Sequence, residues 1–398
     1  MKLTTGLELE FHLMDENGFL MNAAPGILND NRSEGLLYDE AANTQVEINS
    51  DPAESIAELH EGLLQKINLV EGILSDHNVL ASPFAIENGA GKGTQLKNTN
   101  RFGQYESIIG ESKKDLLLGI SGTHLHQSQI HGKKLEQYWL LQSLDSLSYA
   151  TTSTSPIFRN GINNINNYRI LSTRHGAFKN FPLHGQLQDY PKNLEEINVM
   201  NQARYLDWLS KAENKTNFET HFAPDNTGYH PIRKRDHIGP TGTFEIRSFD
   251  IAPLNYLLAS AALYKGATKS MTERDIPVEI TKKDLDYKFS KDKIVLPNID
   301  TLRFFESEAI KYGLKSKHVS DYLRAVLNFS EQGLSKEDAM YLTPIREMLD
   351  TKLNPSSLIM QHMRDRGYQG HHFNPEQSAK ANLYVRNLHE NSLRERIY

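Results

Sequence analysis

Residues 6–11 read Gly6-Leu7-Glu8-Leu9-Glu10-Phe11, so that two carboxylates alternate with apolar side chains. In a β-strand, residues two positions apart point to the same side of the sheet. The pattern therefore predicts a strand that turns Glu8 and Glu10 to one face and packs its apolar residues behind. One such strand alone is typical of a sheet with one face in water. Whether Glu8 and Glu10 belong to a functional site therefore depends on whether other strands show the same pattern.

Three more stretches place polar residues two apart: Gln45 and Glu47 in 44–48, His124 and His126 in 122–126, and Glu245 and Arg247 in 243–250. Carboxylates that face one another are costly unless cations or metals neutralise them. Hard oxygen ligands suit Mg²⁺ and Mn²⁺, and an imidazole suits Mn²⁺ or a mixed site. The four strands together predict a divalent-metal, nucleotide-type site.

Five short motifs follow one another between about residues 3 and 265. The first three are Gly6-x-Glu8-x-Glu10-Phe11, then Glu40 with Glu47, then Gly122-x-His124. The fourth is one longer stretch that contains Ser155-Pro156, Gly161, Tyr168-Arg169, Pro182 and Gly185, and the fifth is Thr243-x-Glu245-x-Arg247-x-x-Asp250. In this order they resemble the motifs of the glutamate–cysteine ligases and related carboxylate–amine ligases. The resemblance implies an α+β fold with a glutamine-synthetase-type catalytic domain, in which helices back a largely antiparallel, curved sheet.

We expect this ATP- and metal-binding domain to span residues 1–270 and a helical extension over 271–398 to pack on it. The helical pattern from Pro253 onward is almost unbroken, with Pro277, Pro297 and Pro344 as breakers. Spacing further predicts helices over 53–77, 133–150 and 194–211, and strands over 79–84, over 116–130 and near Phe218, Tyr229 and Thr243.

The resemblance implies an ATP-dependent ligase that activates a carboxylate as an acyl-phosphate and releases ADP and phosphate. The expected metal ligands are Glu8, Glu10, Glu40, Glu47, His124 and Glu245. The expected catalytic residues are Arg247 and Glu245, and Arg247 with His126 would contact the ATP phosphates, since the fork of an arginine suits a phosphate. Arg169, Tyr168 and Asn164 are candidates for substrate binding, with a structural salt bridge as the alternative for Arg169.

Two stretches depart from familiar patterns. Residues 162–167 read Ile-Asn-Asn-Ile-Asn-Asn, where the ligases that the chain resembles usually have Asp, Thr and Gly. The resemblance therefore supports the metal- and phosphate-binding residues better than it supports the identity of the substrates. Residues 89–94, Gly-Ala-Gly-Lys-Gly-Thr, lack the first Gly and the Ser or Thr after Lys of a phosphate-binding loop. We interpret them as a mobile loop that can cover a substrate.

Glutamate and cysteine are the default substrates, and three alternatives stay open. The first is a ligase of the same fold that joins another carboxylate to another amine. The second is a non-catalytic nucleotide- or metal-binding sensor, which would not need the complete set of phosphoryl-transfer residues. The third is a metal-dependent hydrolase, although no HExxH-type helix motif is present.

Composition and charge limit the kinds of molecule that this protein is expected to bind. The net charge is −6 and no basic stripe is present, which argues against nucleic acid, and the absence of cysteine excludes disulfides and thiolate metal sites. No signal-peptide pattern or membrane-spanning apolar run is visible, so we predict a cytoplasmic protein with no membrane partner. The expected partners are small molecules, namely ATP, Mg²⁺ or Mn²⁺, and an amino acid or amine. Homo-oligomerisation is left open.

Overall fold

The computed structural model describes residues 2–91, 95, 100–162, 164–368 and 371–394. Its centre is an open seven-stranded sheet of β1 (Thr5–Met14), β2 (Tyr38–Asp39), β3 (Gln45–Asn49), β4 (Leu80–Ser82), β5 (Gly122–Ser128), β6 (Ile232–Arg235) and β7 (Thr243–Asp250). The strand order is β2-β3-β1-β5-β7-β6, and β4 also pairs with β1. Every pairing in this sheet is antiparallel, as the resemblance implied.

The register brings the polar residues of four strands into cross-strand contact. Glu10 lies opposite Glu47, and Glu8 lies opposite His124. Between β5 and β7 the register shifts, so that the two residues of β7 between Ile246 and Phe249 oppose the single residue His124. This bulge lies at the centre of the polar face, and bulges commonly re-aim side chains next to active sites.

The other face of the sheet is apolar and covered by helices. Leu7, Leu9 and Phe11 of β1 are at most 3% exposed and join the main core with residues of β3, β5 and β7. The helices before the sixth strand are α1 (Ala24–Leu28), α2 (Ile56–Asp76), α3 (Asn100–Ile109), α4 (Glu111–Leu118), α5 (Lys134–Ser143), α6 (Asp145–Thr152), α7 (Tyr168–Ile170), α8 (Leu194–Lys211) and α9 (Lys215–His221). Helices α2 and α6 contact the sheet directly.

The C-terminal part begins with α10 (Leu254–Glu273), which packs against α2, α5 and α6. It continues through β8 (Val278–Ile280), β9 (Lys288–Phe289), β10 (Ile294–Leu296), α11 (Ile299–Tyr312), α12 (Lys317–Ser330), α13 (Lys336–Met340), α14 (Thr343–Thr351), α15 (Pro355–Asp365) and α16 (Pro375–Arg394). The main core contains buried residues on both sides of position 270. None of the helices in the described ranges is long and apolar enough to cross a membrane.

Short non-α turns join several of these helices. Single 3₁₀ turns occur at Asn31–Ser33, Gly313–Lys315 and Glu331–Gly333. The segment Leu171–Ala177, directly after α7, is a π-helical turn. Such turns are rare and occur often at functional sites, and this one lies beside the polar face described below.

Several predicted elements were wrong in detail. Residues 116–118 belong to α4 and not to a strand, the helix predicted over 133–150 is broken at Leu144, and Phe218 lies in α9. Tyr229 precedes β6 rather than lying in a strand. Residues 278–296 form a three-stranded sheet instead of helix, and Pro344 lies in the first turn of α14, where proline is tolerated.

The helix predicted over 53–77 begins three residues later than expected because of its cap. Ser55 accepts a hydrogen bond from the backbone of Glu58, whose carboxylate accepts one from the Ser55 backbone. This capping box satisfies two backbone donors that have no partner within the helix, and it starts α2 at Ile56.

Candidate active site

The first cluster on the polar face joins one carboxylate to two imidazoles. Oε2 of Glu8 lies 2.7 Å from Nδ1 of His124, and Oε1 lies 3.1 Å from Nε2 of His126. Burial raises the pKa of Glu8, but the contacts with both histidines outweigh burial and hold the pKa well below its usual range. Glu8 is therefore ionised at neutral pH.

The second cluster contains carboxylates that repel one another. Oε1 of Glu10 lies 3.5 Å from Nε2 of His124, and Oε2 accepts the backbone N–H of Gly122 at 2.5 Å. Burial raises the pKa of Glu47, and the charges of Glu8 and Glu10 raise it further. Burial and the charges of Glu10 and Glu47 also raise the pKa of Glu40. These carboxylates would gain from a nearby cation.

Two triads on this face could hold a metal ion. In the first triad, ligand atoms of Glu8, His124 and Glu245 all lie within 4.8 Å of one another, and in the second those of Glu10, Glu47 and His124 do. Carboxylate oxygens with one imidazole suit Mn²⁺ or Mg²⁺. Because a neutral imidazole offers one free lone pair, His124 can bind an ion in only one triad. An ion in the other triad would be held by carboxylates alone.

Glu245 lies where the carboxylates meet three arginines. Its Oε1 lies 2.8 Å from Nε of Arg247 and 3.8 Å from Nη1 of Arg233, while Oε2 accepts a hydrogen bond of 3.1 Å from Arg235. Burial raises the pKa of Glu245, but Arg233 and Arg247 outweigh it and lower the pKa to about 2. The structure therefore gives Glu245 ion-pair partners as well as a place in the first triad.

Arg233 and Arg235 were missed by the sequence analysis. They lie on β6 two residues apart, in the sequence Ile-Arg-Lys-Arg of residues 232–235, and Arg233 is directly opposite Glu245. The alternation rule that singled out Glu8 and Glu10 applies equally to them. Burial, and then the charge of Arg247, lowers the pKa of Arg233 to about 10.

The polar face forms one wall of a cavity of about 600 Å³, which we call the main cavity. Its acidic and imidazole lining residues are Glu10, Asp39, Glu40, His124 and His221. Its arginines are Arg101, Arg169, Arg233 and Arg247, and its aromatic residues are Phe102, Tyr105, Phe178 and Tyr229. The cavity therefore has one side suited to cations and another suited to anions.

Arg169 reaches the main cavity because the motif residues around it leave space and support. A Cβ added to Gly122 would lie 2.2 Å from Nη2 of Arg169, so a larger residue there would displace the guanidinium from its present position. Nη2 donates to the backbone oxygen of Arg247 at 3.2 Å, and Nη1 lies 3.7 Å from Asp250. Asp250 also accepts a hydrogen bond of 2.7 Å from Ser155, which fixes the chain before Arg169. Residues from three of the motifs thus hold the side chain of Arg169 in place.

His126 lies on the polar face but lines a different, smaller cavity of about 180 Å³. Its Nδ1 is 3.1 Å from Oγ1 of Thr243. Glu8 also lines this smaller cavity, together with Leu7, Ile238 and other residues near the start of β1. Glu8 and His126 therefore lie between the smaller cavity and the carboxylates of the main cavity.

The predicted substrate residues near 162–168 lie elsewhere. Tyr168 packs against Phe158, with ring centroids 6.0 Å apart, in a separate buried cluster, and Asn164 is exposed with φ +56°. Neither belongs to the described lining of the main cavity. Asn166 bonds to Asn354, and Asn167 caps α7, so both hold the chain in place. Substrate contact through Tyr168 or Asn164 stays a prediction. Asn163 and residues 92–94 of the glycine-rich loop lie outside the described residues.

Comparison with solved structures finds the glutamate–cysteine ligase of Francisella tularensis in complex with AMP. The match covers 100% of this chain and 90% of that chain, with a TM-score of 0.60 at 13% sequence identity. The chain has the fold of a glutamate–cysteine ligase. The bifunctional glutathione synthetase from Pasteurella multocida matches 97% of this chain with a TM-score of 0.63 at 14% identity, and this chain spans 52% of its length. No family model and no curated protein sequence matches.

The raised pKa values in the second cluster predict a stability that depends on pH and on a bound metal ion. Glu40 and Glu47 have pKa values above their usual range, so their contribution to stability is present at low pH and is lost as the pH rises through the raised pKa. We expect Mg²⁺ to raise the melting temperature more at pH 8 than at pH 5, because it neutralises these charges and needs deprotonated ligands.

The measurement is thermal unfolding with and without Mg²⁺ at both pH values. Glu47→Gln should shrink the difference between the two Mg²⁺ effects, while Glu376→Gln, at an exposed position in the first turn of α16, should leave it unchanged. An equal Mg²⁺ effect at pH 5 and pH 8 would contradict the assignment of these carboxylates to a metal site.

Proposed function

We propose that this protein is an ATP-dependent carboxylate–amine ligase, which activates the γ-carboxylate of glutamate as an acyl-phosphate and transfers it to the amine of cysteine or another amino acid. The reaction gives an amide, ADP and phosphate. The observation that carries the proposal is the main cavity, where a carboxylate and imidazole cluster faces buried arginines. The fold shared with a glutamate–cysteine ligase supports it.

The arginine side of the main cavity has buried hydrogen-bond donors that an anion could satisfy. Among the described residues, Nε and Nη1 of Arg169 and Nε of Arg233 are buried and have no hydrogen-bond partner. A buried donor without a partner costs free energy, and a carboxylate or phosphate oxygen would satisfy these donors. We assign Arg169 and Arg233 to the carboxylate of the donor amino acid that is not activated, and Arg247 to the phosphoryl group in transfer.

The acidic side would hold the metal ions that ATP requires. Glu8, Glu10, Glu47 and His124 are the proposed ligands, and Glu40 stands beside them with a raised pKa. Divalent ions bound there would neutralise the phosphate charge, which is most of what phosphoryl transfer needs from a protein. We assign the nucleoside end of ATP to the smaller cavity, since Leu7, Pro52 and Ile238 give it an apolar part beside polar residues such as Asn49. Glu8 lies between this cavity and the main cavity.

The experiment that tests the function measures ADP formation from ATP, with glutamate as donor and a panel of amino acids and amines as acceptors. We expect ADP formation to require both a donor and an acceptor and to require Mg²⁺ or Mn²⁺. ADP formation that is independent of every carboxylate and amine would show a nucleotide hydrolase. Absence of turnover with intact ATP binding would favour the sensor.

The acyl-phosphate route makes a specific prediction about oxygen transfer. One oxygen of the donor carboxylate must leave with the phosphate, because the amine displaces phosphate from the acyl-phosphate. Glutamate labelled with ¹⁸O in its γ-carboxylate should therefore deliver label to phosphate, as measured by mass spectrometry or ³¹P NMR. Unlabelled phosphate, or AMP with pyrophosphate, would be incompatible with this route.

A further inference from the structure

A second cavity of about 400 Å³ lies on the opposite side of the π-helical turn from the main cavity. Thr173 of this turn lines the main cavity, whereas Leu171 and His175 line the second one. The remaining lining residues are Ile165, Gln186, Leu187, Arg303, Glu306, Ser307, Ile310 and Lys311. The two cavities share no lining residue, so a molecule in the second cavity would not occupy the proposed active site.

The carboxylate of Glu306 in the second cavity already has a partner on each of its oxygens. Its Oε1 lies 2.8 Å from Nε2 of His175, and Oε2 accepts a hydrogen bond from Arg174. Arg174 is fully buried and also bonds to Asp145 and to Ser248. Both oxygens of Glu306 are therefore already bonded to side chains of this protein, and Arg174 behind it connects the cavity lining to Ser248 of β7.

The other charged residues of the second cavity are cationic. Lys311 makes no ion pair among the described residues and has its Nζ 5.5 Å from the ring of Tyr312. Nη2 of Arg303 donates to the backbone oxygen of Leu187 at 3.3 Å, and its Nη1 is 3.8 Å from the exposed Asp300. Both side chains are therefore available for an anion, and charge-assisted hydrogen bonds to an anion are strong.

Much of the remaining lining is aliphatic. Ile165, Leu171, Leu187 and Ile310 supply aliphatic side chains, of which Leu187 and Ile310 are buried. A cavity of this size, apolar with a few polar groups at fixed places, has the character of a small-molecule site. We propose that this cavity is a second binding site, which takes a small organic anion that has an apolar body and one carboxylate or phosphate end.

The probes for this site are hexanoate, hexylamine and inorganic phosphate, titrated into the full-length protein and followed by ligand-observed NMR. Hexanoate carries both features of the proposed ligand, hexylamine reverses the charge, and phosphate lacks the apolar body. We expect saturable binding of hexanoate, with affinities for hexylamine and phosphate weaker by about tenfold or more. Hexylamine loses the charge-assisted contacts, and phosphate loses the burial of the alkyl chain.

The variants show whether binding takes place in this cavity. Arg303→Gln with Lys311→Gln should weaken hexanoate binding by about tenfold or more. The control pair Lys315→Gln with Arg324→Gln removes the same charge from outside the lining and should not change the binding. Leu171→Glu, which places a carboxylate in the cavity, should also abolish binding. Equal binding of hexanoate and hexylamine, equal binding of phosphate and hexanoate, or equal effects of the two variant pairs would overturn the proposal.

Discussion

Arg247→Lys is expected to lower the maximal rate of ATP-dependent ligation by about two orders of magnitude or more. The guanidinium lies against Glu245 at 2.8 Å, stacks over the ring of Tyr229 with 5.6 Å from Cζ to the centroid, and lines the main cavity. An arginine held in this way can form two parallel hydrogen bonds to a phosphoryl group. A lysine supplies only a point charge and should rescue the rate poorly.

Arg235→Lys is the matched control for this effect. Arg235 also pairs with Glu245, through the other carboxylate oxygen at 3.1 Å, but it does not line the main cavity. We expect its steady-state rate to fall by less than about tenfold, because only the support of Glu245 changes and not a contact made in the transition state. If both variants lose rate equally, the role of Arg247 is to hold Glu245 and not to contact phosphate.

The acidic strand at 6–11 and the similar strands at 44–48, 122–126 and 243–250 could be predicted because the sequence pattern of a strand depends only on its own residues. The period of two in Glu8-x-Glu10, His124-x-His126 and Glu245-x-Arg247 belongs to each strand by itself, and packing of the apolar residues behind it enforces the same facing. The motif order then indicated that the strands share one sheet. The antiparallel register of the structure agrees with this interpretation.

The features that could not be predicted depend on contacts between distant segments. The bulge opposite His124 is visible in the sequence of β7 only as a break in the alternation, where the polar residues Arg247 and Ser248 are adjacent, and the sequence does not show which strand pairs with β7 at this point. The placement of Tyr168 in a buried cluster depends on α15 and α16, which supply Ile359, Val385 and other residues of that cluster from much later in the chain. The small sheet of residues 278–296 has strands of only two or three residues, too short to show a period.

Arg174→Met is expected to destabilise the folded protein by about 3–5 kcal/mol, because it leaves buried carboxylates without their cation. Arg174 is fully buried, and its guanidinium bonds to Asp145 at 2.7 and 3.0 Å and also to Glu306. Burial lowers the pKa of Arg174, but these two carboxylates raise it well above its usual value. The network joins α6, the π-helical turn and α11, so its loss affects elements from both halves of the chain.

The measurement is urea unfolding, and two variants identify the cause. Arg346→Met removes an exposed arginine that pairs with Glu331 at 2.8 Å and should cost less than about 1 kcal/mol. Adding Asp145→Asn and Glu306→Gln to Arg174→Met removes the two carboxylate charges that have lost their cation. This should restore part of the lost stability, since the penalty lies in burying unpaired ions. If the triple variant is less stable than Arg174→Met by the sum of the single effects, lost packing around Arg174 rather than uncompensated charge explains the destabilisation.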